Sequence, residues 1–402
     1  MGVQNRLIDE RSATSSLILG EFTFLSLSDY AAGHPYYFQQ SSGTSRYSVR
    51  QFEFAGFIQS TYRATRRLSL SAGMRFEAQT NLEDYNNFDP RAAFAFAVRP
   101  SLVIRGGAGI FRQRLPNETV ATFHLLQSGP QQFGFTIFDP SYPTPPALPS
   151  ASPSTPAPLD LSHLQAPYLV DGSLSVERLL QSGIVISATA ELVRGNHQFR
   201  TARIVNGFSP VTTVYASAGS LTSKSLSLRF KTPRVKVFGV PVETIGDYTY
   251  NSSFDDNVAA GGTNWNSYWA RSNTIPHHSV WVGSLLSLPG GVSASILVFA
   301  NSGAPYSTLI FGNSGSSPGA GRNTNDAPAY FSPDVQLSKS FRLTEHLGAT
   351  PPSTLTLFGY FQNVANRSNP STINGNSLSL FFGQVSGYYP GRRIELGLRL
   401  HF

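Results

Sequence analysis

The chain has 402 residues and a net charge of +7, with 13% charged and 12% aromatic residues. It contains no cysteine, which excludes a disulfide framework, a thiolate nucleophile, a zinc ribbon and an iron–sulfur cluster. No apolar run reaches the about 18 residues of a membrane-spanning helix, and the aromatic content is too high for a highly charged disordered chain.

The N-terminal segment gives the weakest structural signals. Its first residues lack the apolar stretch of an export signal, so we expect export to depend on sequence outside this chain, or the chain to be a fragment. Residues 26–32 predict one helical turn, and residues 35–40 predict one strand. The arginines are spread singly rather than clustered, so nucleic acid is not an expected partner.

The clearest signal is two-residue alternation within residues 67–79. Leu68, Leu70 and the following even positions are apolar, whereas the odd positions are polar, charged or glycine. Side chains of a strand point to opposite faces in turn, so this segment predicts a strand with one apolar and one polar face. Its length suits a transmembrane strand, which needs about 9–11 residues.

The same alternation recurs through the chain, in residues 91–98, 184–192, 225–231 and 393–402. Counted this way, roughly 13 strands follow residue 47, and the strand near 35–40 brings the total to about 14, an even number as bacterial outer-membrane barrels have. The fold class predicted is therefore all-β, an antiparallel transmembrane outer-membrane β-barrel.

The polar face carries charged side chains and cannot be a dry core, because unpaired buried charge is costly. We interpret it as a wet lumen, with the apolar face toward lipid. Two roles for its charges stay open: they set the local field and pack against a plug, or they satisfy one another through salt bridges. The predicted lumen-facing residues are Arg67, Arg75, Glu77, Arg229, Lys231, Glu395 and Arg399.

The predicted connections also alternate between short and long, as in outer-membrane barrels with short periplasmic turns and long outer loops. Short connections fall near 64–66 and 99–100, and long ones include 195–220. Residues 139–158 are rich in Pro, Ser and Ala and predict an extended extracellular loop. A linker between domains is the alternative interpretation.

Several segments, in this order, resemble the C-terminal barrel portion of TonB-dependent outer-membrane receptors, most closely the Oar-like subgroup. They are residues 20–33, 57–77, 89–96, 103–111, 337–343, 361–369 and 392–402. The resemblance extends from about residue 15 to 402. It implies a plugged barrel of about 22 strands, of which this chain would supply about the last 14. The plug domain, the TonB box and the regulatory-like domain are not recognised in this sequence.

The C-terminal strand resembles the signal that the barrel-assembly machinery reads, a terminal Phe with apolar residues at alternate positions. Its residues here are Ile394, Leu396, Leu398, Leu400 and Phe402. The simpler interpretation, a lipid-facing strand closing a sheet, is compatible with this signal.

Candidate ligand-binding residues lie in one predicted outer loop. Trp265, Tyr268 and Trp269 stand beside Asn and Ser and suit stacking on sugar rings or peptides; a loop that packs on itself is the alternative. No catalytic constellation is present, so an enzyme is not expected. His277 and His278 would point to opposite faces of a strand, so neither a metal nor another cofactor is predicted.

The function expected from the resemblance is uptake of a bulky ligand, such as a siderophore, oligosaccharide or peptide, across the cell outer membrane of a Gram-negative bacterium. The expected partners are outer-membrane lipids, the barrel-assembly machinery and an unknown ligand. The TonB system is expected only if a plug and a TonB box lie upstream. The alternatives are a passive pore without a plug, a structural surface barrel, or an inactive receptor fragment.

Overall fold

The computed structural model describes most of the chain. The described residues are 1–14, 20–43, 45–116, 120, 132–144, 164–204, 212–256, 268–308, 322–343, 353–377 and 379–401. In chain order the strands are β1 (Gly2–Thr14), β2 (Glu21–Thr23), β3 (Tyr37–Gly43), β4 (Ser45–Arg63), β5 (Leu68–Gln79), β6 (Phe88–Arg99), β7 (Leu102–Arg112), β8 (Gln132–Phe138), β9 (Tyr168–Leu179), β10 (Val185–Ile204), β11 (Thr212–Lys231), β12 (Val235–Val237), β13 (Val240–Asp255), β14 (Ala270–Arg271), β15 (His278–Leu288), β16 (Val292–Asn301), β17 (Pro305–Tyr306), β18 (Asn325–Asp326), β19 (Tyr330–Arg342), β20 (Thr354–Gln362), β21 (Pro370–Ile373), β22 (Val385–Tyr388) and β23 (Arg393–His401).

One antiparallel sheet dominates the fold, and we call it the main sheet. Its strands follow the order β1-β4-β5-β6-β7-β9-β10-β11-β13-β15-β16-β19-β20-β23, and β12 and β14 are attached to β13. Each strand on this path pairs with the next strand of the path along the chain. The strands missing from the path belong to smaller sheets or are β12 and β14. The predicted all-β antiparallel fold is confirmed. Of the 16 strands of the main sheet, 14 lie on this path, close to the about 14 strands predicted.

The first strand of the main sheet is not the one that the sequence predicted. The strand near 35–40 exists as β3, but it pairs with β2 and β8 in a separate three-stranded sheet. The first position belongs to β1, whose residues from Gly2 to Thr14 pair with β4. The placement of the 35–40 strand in the barrel was therefore wrong, because β1 already occupies the edge of β4.

The connection between β10 and β11 is shorter than the predicted long loop at 195–220. The two strands stay paired from Val185 and Lys231 up to Ile204 and Thr212. The register shifts twice, between Gly195 and Gln198 and again between Gln198 and Arg200. These irregularities break the alternation in the sequence, so the alternation predicts shorter strands than the structure has.

The predicted helical turn at 26–32 is confirmed as α1 (Leu27–Ala32). Ser26 caps it by accepting a hydrogen bond from the backbone N–H of Asp29 at 3.0 Å. Gly33 ends it with φ +71°, a left-handed conformation that favours glycine. Within the described ranges, no helix combines the length and apolar content that crossing a bilayer requires.

The main sheet has two distinct faces and two outer edges. Paired positions place the apolar residues of β5, such as Leu70 and Met74, on one face, and Ser71 and Arg75 on the other. Between the described residues of β1 and β23, the first and last strands, no pairing is found. We call the two faces the apolar face and the polar face. The short-connection end of the main sheet is the end at which residues 64–67 join β4 to β5 and residues 100–101 join β6 to β7. The opposite end, where residues 113–167 lie between β7 and β9, is the long-connection end.

Candidate functional site

The register of the main sheet places six of the seven predicted lumen-facing residues on the polar face, all except Arg67. Arg75 and Glu77 lie opposite Phe57 and Ala55 of β4, and Arg229 lies opposite Asp247 of β13. Most of these charges have a partner, as the alternative of mutual salt bridges requires. The pairs are Arg75–Glu77, Arg229–Asp247 at 3.1 Å, Lys231–Glu243 at 3.3 Å and Arg393–Glu395 at 2.7 Å.

Two predicted lumen-facing residues have other surroundings. The Arg399 guanidinium lies 5.7 Å from the ring centre of Phe358, a cation–π distance. Arg67 lies in the turn between β4 and β5 and borders a cavity at the short-connection end. The polar face therefore combines neutralised pairs with arginines that have no ion-pair partner among the described residues. That this face lines a wet lumen stays a prediction.

At the long-connection end, the chain that follows β7 folds back onto the polar face. Leu115 is fully buried there against Val49 of β4, in a small apolar cluster that includes Leu164 and Ala166. Gln79 accepts a hydrogen bond from the Leu115 N–H at 3.0 Å. The two ends of the β7–β9 connection, residues 113–116 and 164–167, thus cover part of the polar face.

An ion-pair network fastens this covering segment. Arg114 Nη1 lies 2.5 Å from Glu53 Oε2, and Arg114 Nε lies 3.4 Å from Glu77 Oε2. Glu77 in turn pairs with Arg75, and Glu53 accepts a hydrogen bond from Gln51 at 2.9 Å. One arginine from a connection therefore bridges carboxylates on two neighbouring strands.

The same region contains polar atoms that are buried without a hydrogen-bond partner among the described residues. They are Gln51 Oε1, Gln79 Nε2, Asn87 Oδ1 and Asp89 Oδ2. Unpartnered buried polar groups cost free energy, and native proteins keep few of them. Local departures of this kind are expected at functional sites, so this cluster is a candidate for more than a structural role.

Next to this network, the polar face of β4, β5, β6, β7 and β9 forms a groove of about 440 Å³. Small residues such as Gly73, Ala93 and Gly107 make its floor. Two arginines border it, and each lies over an aromatic ring. Arg91 is 4.3 Å from the ring centre of Phe111, and Arg75 is 5.8 Å from that of Phe57.

Glycine at position 109 makes this arrangement possible. A Cβ atom there would lie 2.8 Å from Arg91 Cγ and 3.2 Å from the ring of Phe111. In the run from Gly106 to Gly109, the last glycine therefore leaves the space in which Arg91 packs over Phe111.

Arginines also hold connections in place at the long-connection end of β10, β11 and β13. Arg200 Nη2 lies 2.6 Å from Asp256 Oδ1, and both side chains are buried. Arg322 pairs with Asp255 and donates to the backbone carbonyl of Tyr268 at 3.0 Å. Connections on both halves are thus held to strand ends by arginine.

The predicted ligand-stacking residues have unequal access to solvent. Trp265 lies outside the described residues. Tyr268 is only 9% exposed, which suits a loop that packs on itself. Trp269 is 43% exposed and stacks on Phe254, with ring centres 6.4 Å apart. A stacking role thus stays a prediction, and Trp269 is its best remaining candidate.

The candidate assembly signal lies on the apolar face of β23. Leu396 and Leu398 are 79% and 72% exposed, and they pair with Gly359 and Leu357 of β20. Ile394 and Leu400 lie on the same face, whereas Phe402 lies outside the described residues. Residues 145–158 of the predicted outer loop lie outside them as well. In the part of the chain that the structure describes, no group of three His, Asp or Glu residues is placed to hold a metal.

Sequence reasoning missed Glu53, Arg114 and Arg91 as members of the site. Arg91 had a detectable signal, since it is the charged residue facing the polar side of an alternating strand. Arg114 had none, because its neighbours in sequence form an irregular connection and its partners are on β4 and β5.

Comparison with solved structures shows the same fold in proteins about twice as long. The outer membrane transporter YddB from Escherichia coli matches with a TM-score of 0.64 at 11% identity, covering 98% of this chain and 54% of that one. A ferric enterobactin receptor mutant from Pseudomonas aeruginosa matches at 0.59 and 12%, covering 98% and 54%. The ferric-catecholate import receptor Fiu from E. coli K12 matches at 0.55 and 11%, covering 100% and 55%.

This chain therefore spans about half the length of the solved structures that it matches. A search of curated protein sequences found no match. The family model described as outer membrane beta barrel domain matches residues 1–84 and 79–301, well over half of the chain. The chain belongs to the outer membrane β-barrel domain family, and its place is the outer membrane.

Proposed function

We propose that the chain forms part of the wall of an outer-membrane receptor that takes up a bulky ligand. Siderophores, oligosaccharides and peptides are the candidate ligand classes. The fold of transporters and ferric siderophore receptors, shared over nearly the whole chain, supports a receptor barrel. The ligand would be captured at the long-connection end.

One observation carries this proposal: the β7–β9 connection is anchored onto the polar face by Arg114, beside the groove bordered by Arg75 and Arg91. A passive channel for small solutes needs an open, water-filled lumen. Here a folded segment covers the wall and leaves a groove with aromatic and cationic groups, a combination that suits recognition of a bulky solute.

The wall would be completed by further strands. Among the described residues, the first and last strands of the main sheet do not pair with each other, and strand edges with free N–H and C=O groups are not stable in a bilayer. We propose that these 14 strands belong to a larger barrel. In that complete receptor, a plug and a TonB box upstream would couple uptake to the TonB system.

The experiment compares uptake in cells with and without the gene. The probes are ⁵⁵Fe-labelled ferric enterobactin, a fluorescent maltoheptaose and a labelled decapeptide, each with and without a protonophore. We expect one probe to accumulate only when the gene is present, and the protonophore to abolish that accumulation.

The other outcomes separate the alternatives. Gene-dependent accumulation that resists the protonophore would contradict the proposal and favour a passive pore. Equal accumulation in both strains for all three probes would favour a structural barrel or an inactive fragment. In the same uptake experiment, Arg91→Gln changes the groove and should reduce accumulation of the probe. Arg178→Gln, on the apolar face of β9, is the control and should leave accumulation unchanged.

A further inference from the structure

A second cavity lies at the opposite, short-connection end of the sheet. It has a volume of about 640 Å³, and four of its nine lining residues are arginines. The fold thus brings together arginines that the sequence pattern predicted to be spread singly. The lining residues are Arg63, Thr65, Arg66, Arg67, Ser69, Ala95, Ala97, Val103 and Arg105. No acidic residue is among them.

The cavity follows one row of the sheet register. Arg63 of β4 lies opposite Ser69 of β5, Ser69 lies opposite Ala95 of β6, and Ala95 lies opposite Arg105 of β7. All four side chains therefore share the polar face. Ala95 and Ala97 of β6 have short side chains, so they form the bottom of the cavity, and the longer arginine side chains form its sides.

The charges in this cavity are largely uncompensated. Arg105 pairs with Glu177 at 3.3 Å. For Arg63, Arg66 and Arg67, no carboxylate lies within ion-pair distance among the described residues. Like charges that share a concave site raise the local positive potential, and low-dielectric walls focus it.

The turn that presents two of these arginines is fixed by hydrogen bonds. Thr65 Oγ1 accepts from the backbone N–H groups of Arg67 at 3.1 Å and Leu68 at 3.0 Å. The Thr65 N–H donates to the Leu68 carbonyl at 3.2 Å. Because the turn is held at both ends, Arg66 and Arg67 start from a defined backbone, and less ordering is needed when they bind an anion.

We propose that this cavity binds the phosphate group of a phosphate-bearing molecule. The guanidinium group offers paired N–H donors that match phosphate oxygens, and all four cationic residues are arginine rather than lysine. A phosphate dianion would balance two of the three unpaired charges, whereas a carboxylate would balance one. The Ser69 hydroxyl adds a further donor on the same face.

The test measures pyrophosphate binding by the complete gene product, purified in dodecylmaltoside micelles, using isothermal titration calorimetry. We expect Arg66→Gln/Arg67→Gln to weaken binding at least about tenfold, the effect of removing charge-assisted hydrogen bonds. The matched control is Arg234→Gln/Lys236→Gln, which removes the same charge at the same end but outside the cavity. We expect it to change the Kd less than about twofold. Strand content by circular dichroism checks that each variant is folded.

Three results would overturn the proposal: no binding by the parent chain, equal losses in the two double variants, or a hexaglutamate peptide binding tighter than pyrophosphate. The last result would assign the cavity to an acidic polypeptide instead. Nanodiscs then identify the source of the phosphate. If phosphatidylglycerol weakens pyrophosphate binding relative to phosphatidylcholine alone, the natural ligand is a lipid headgroup; if it does not, the ligand is a soluble phosphate compound.

Discussion

Arg114 and Glu53 are 61 residues apart in the sequence, yet Arg114 Nη1 lies 2.5 Å from Glu53 Oε2. The Glu53 side chain is 4% exposed and that of Arg114 is 27% exposed. This contact joins the β7–β9 connection to β4, beside the buried cluster of Leu115 and Val49.

We expect Arg114→Ala to lower the free energy of unfolding by about 2 kcal/mol. Breaking a buried pair removes about 3–5 kcal/mol, and the partial exposure of Arg114 reduces that value. Guanidinium titration in detergent micelles measures the change. A decrease below about 0.5 kcal/mol, as for an ordinary surface substitution, would show that the pair does not hold the connection.

A cysteine introduced on β4 tests whether Arg114→Ala exposes the polar face beneath the β7–β9 connection. The chain has no cysteine, so Val49→Cys provides a single thiol beneath Leu115. We expect maleimide to label this thiol at least about tenfold faster in the Arg114→Ala background, because local opening becomes easier. Arg105→Ala, which breaks an exposed pair at the other end, should leave the labelling rate unchanged.

The ion pair between Arg200 and Asp256 should show strong coupling in a double-mutant cycle. Its side chains are 7% and 1% exposed, and Asp256 also accepts hydrogen bonds from the Ser220 N–H. We expect Arg200→Met alone to destabilise the protein by about 3 kcal/mol, since it leaves a buried carboxylate without its partner.

The exposed pair Lys231–Glu243, whose side chains are 57% and 39% exposed, provides the comparison for this cycle. Its coupling energy should lie between about 0 and 1 kcal/mol. The same unfolding titrations measure both cycles. Similar coupling energies in the two cycles would mean that burial does not distinguish the pairs, contrary to the structure.

Two glycines on adjacent strands should respond differently to alanine. A Cβ at Gly109 meets Arg91 Cγ at 2.8 Å, whereas a Cβ at Gly172 has no neighbour closer than 3.8 Å. We expect Gly109→Ala to destabilise the protein by about 1–2 kcal/mol through overpacking. Gly172→Ala should stay within about 0.5 kcal/mol of the parent. Equal effects would contradict the close packing of Arg91 on Phe111.

How far the sequence predicts this fold depends on the range of the interactions. The faces of β5 and β23 follow from alternation alone, because each residue's side is set by its neighbours. β1 was missed, since Asn5 and Asp9 interrupt its apolar face and only pairing with β4 identifies the strand. β3 was found but misplaced, because its partner β8 lies about a hundred residues away in the sequence.

The candidate site was less predictable than the fold. The charges on the polar face could be found from their positions in alternating strands, but not their partners. Asp247, the partner of Arg229, is on the next strand of the main sheet, and register alone brings the two together. The anchoring of Arg114 depends on how an irregular connection folds back, which no local pattern encodes.

Spin labelling along β5 in lipid vesicles tests whether the main sheet is a membrane wall with one lipid face and one aqueous face. Nitroxides at positions 69 to 74, introduced through single cysteines, report collisions with oxygen and with a water-soluble nickel reagent. We predict strict alternation: Leu70, Ala72 and Met74 favour oxygen, and Ser69, Ser71 and Gly73 favour nickel. Equal access of nickel to both sets would contradict it.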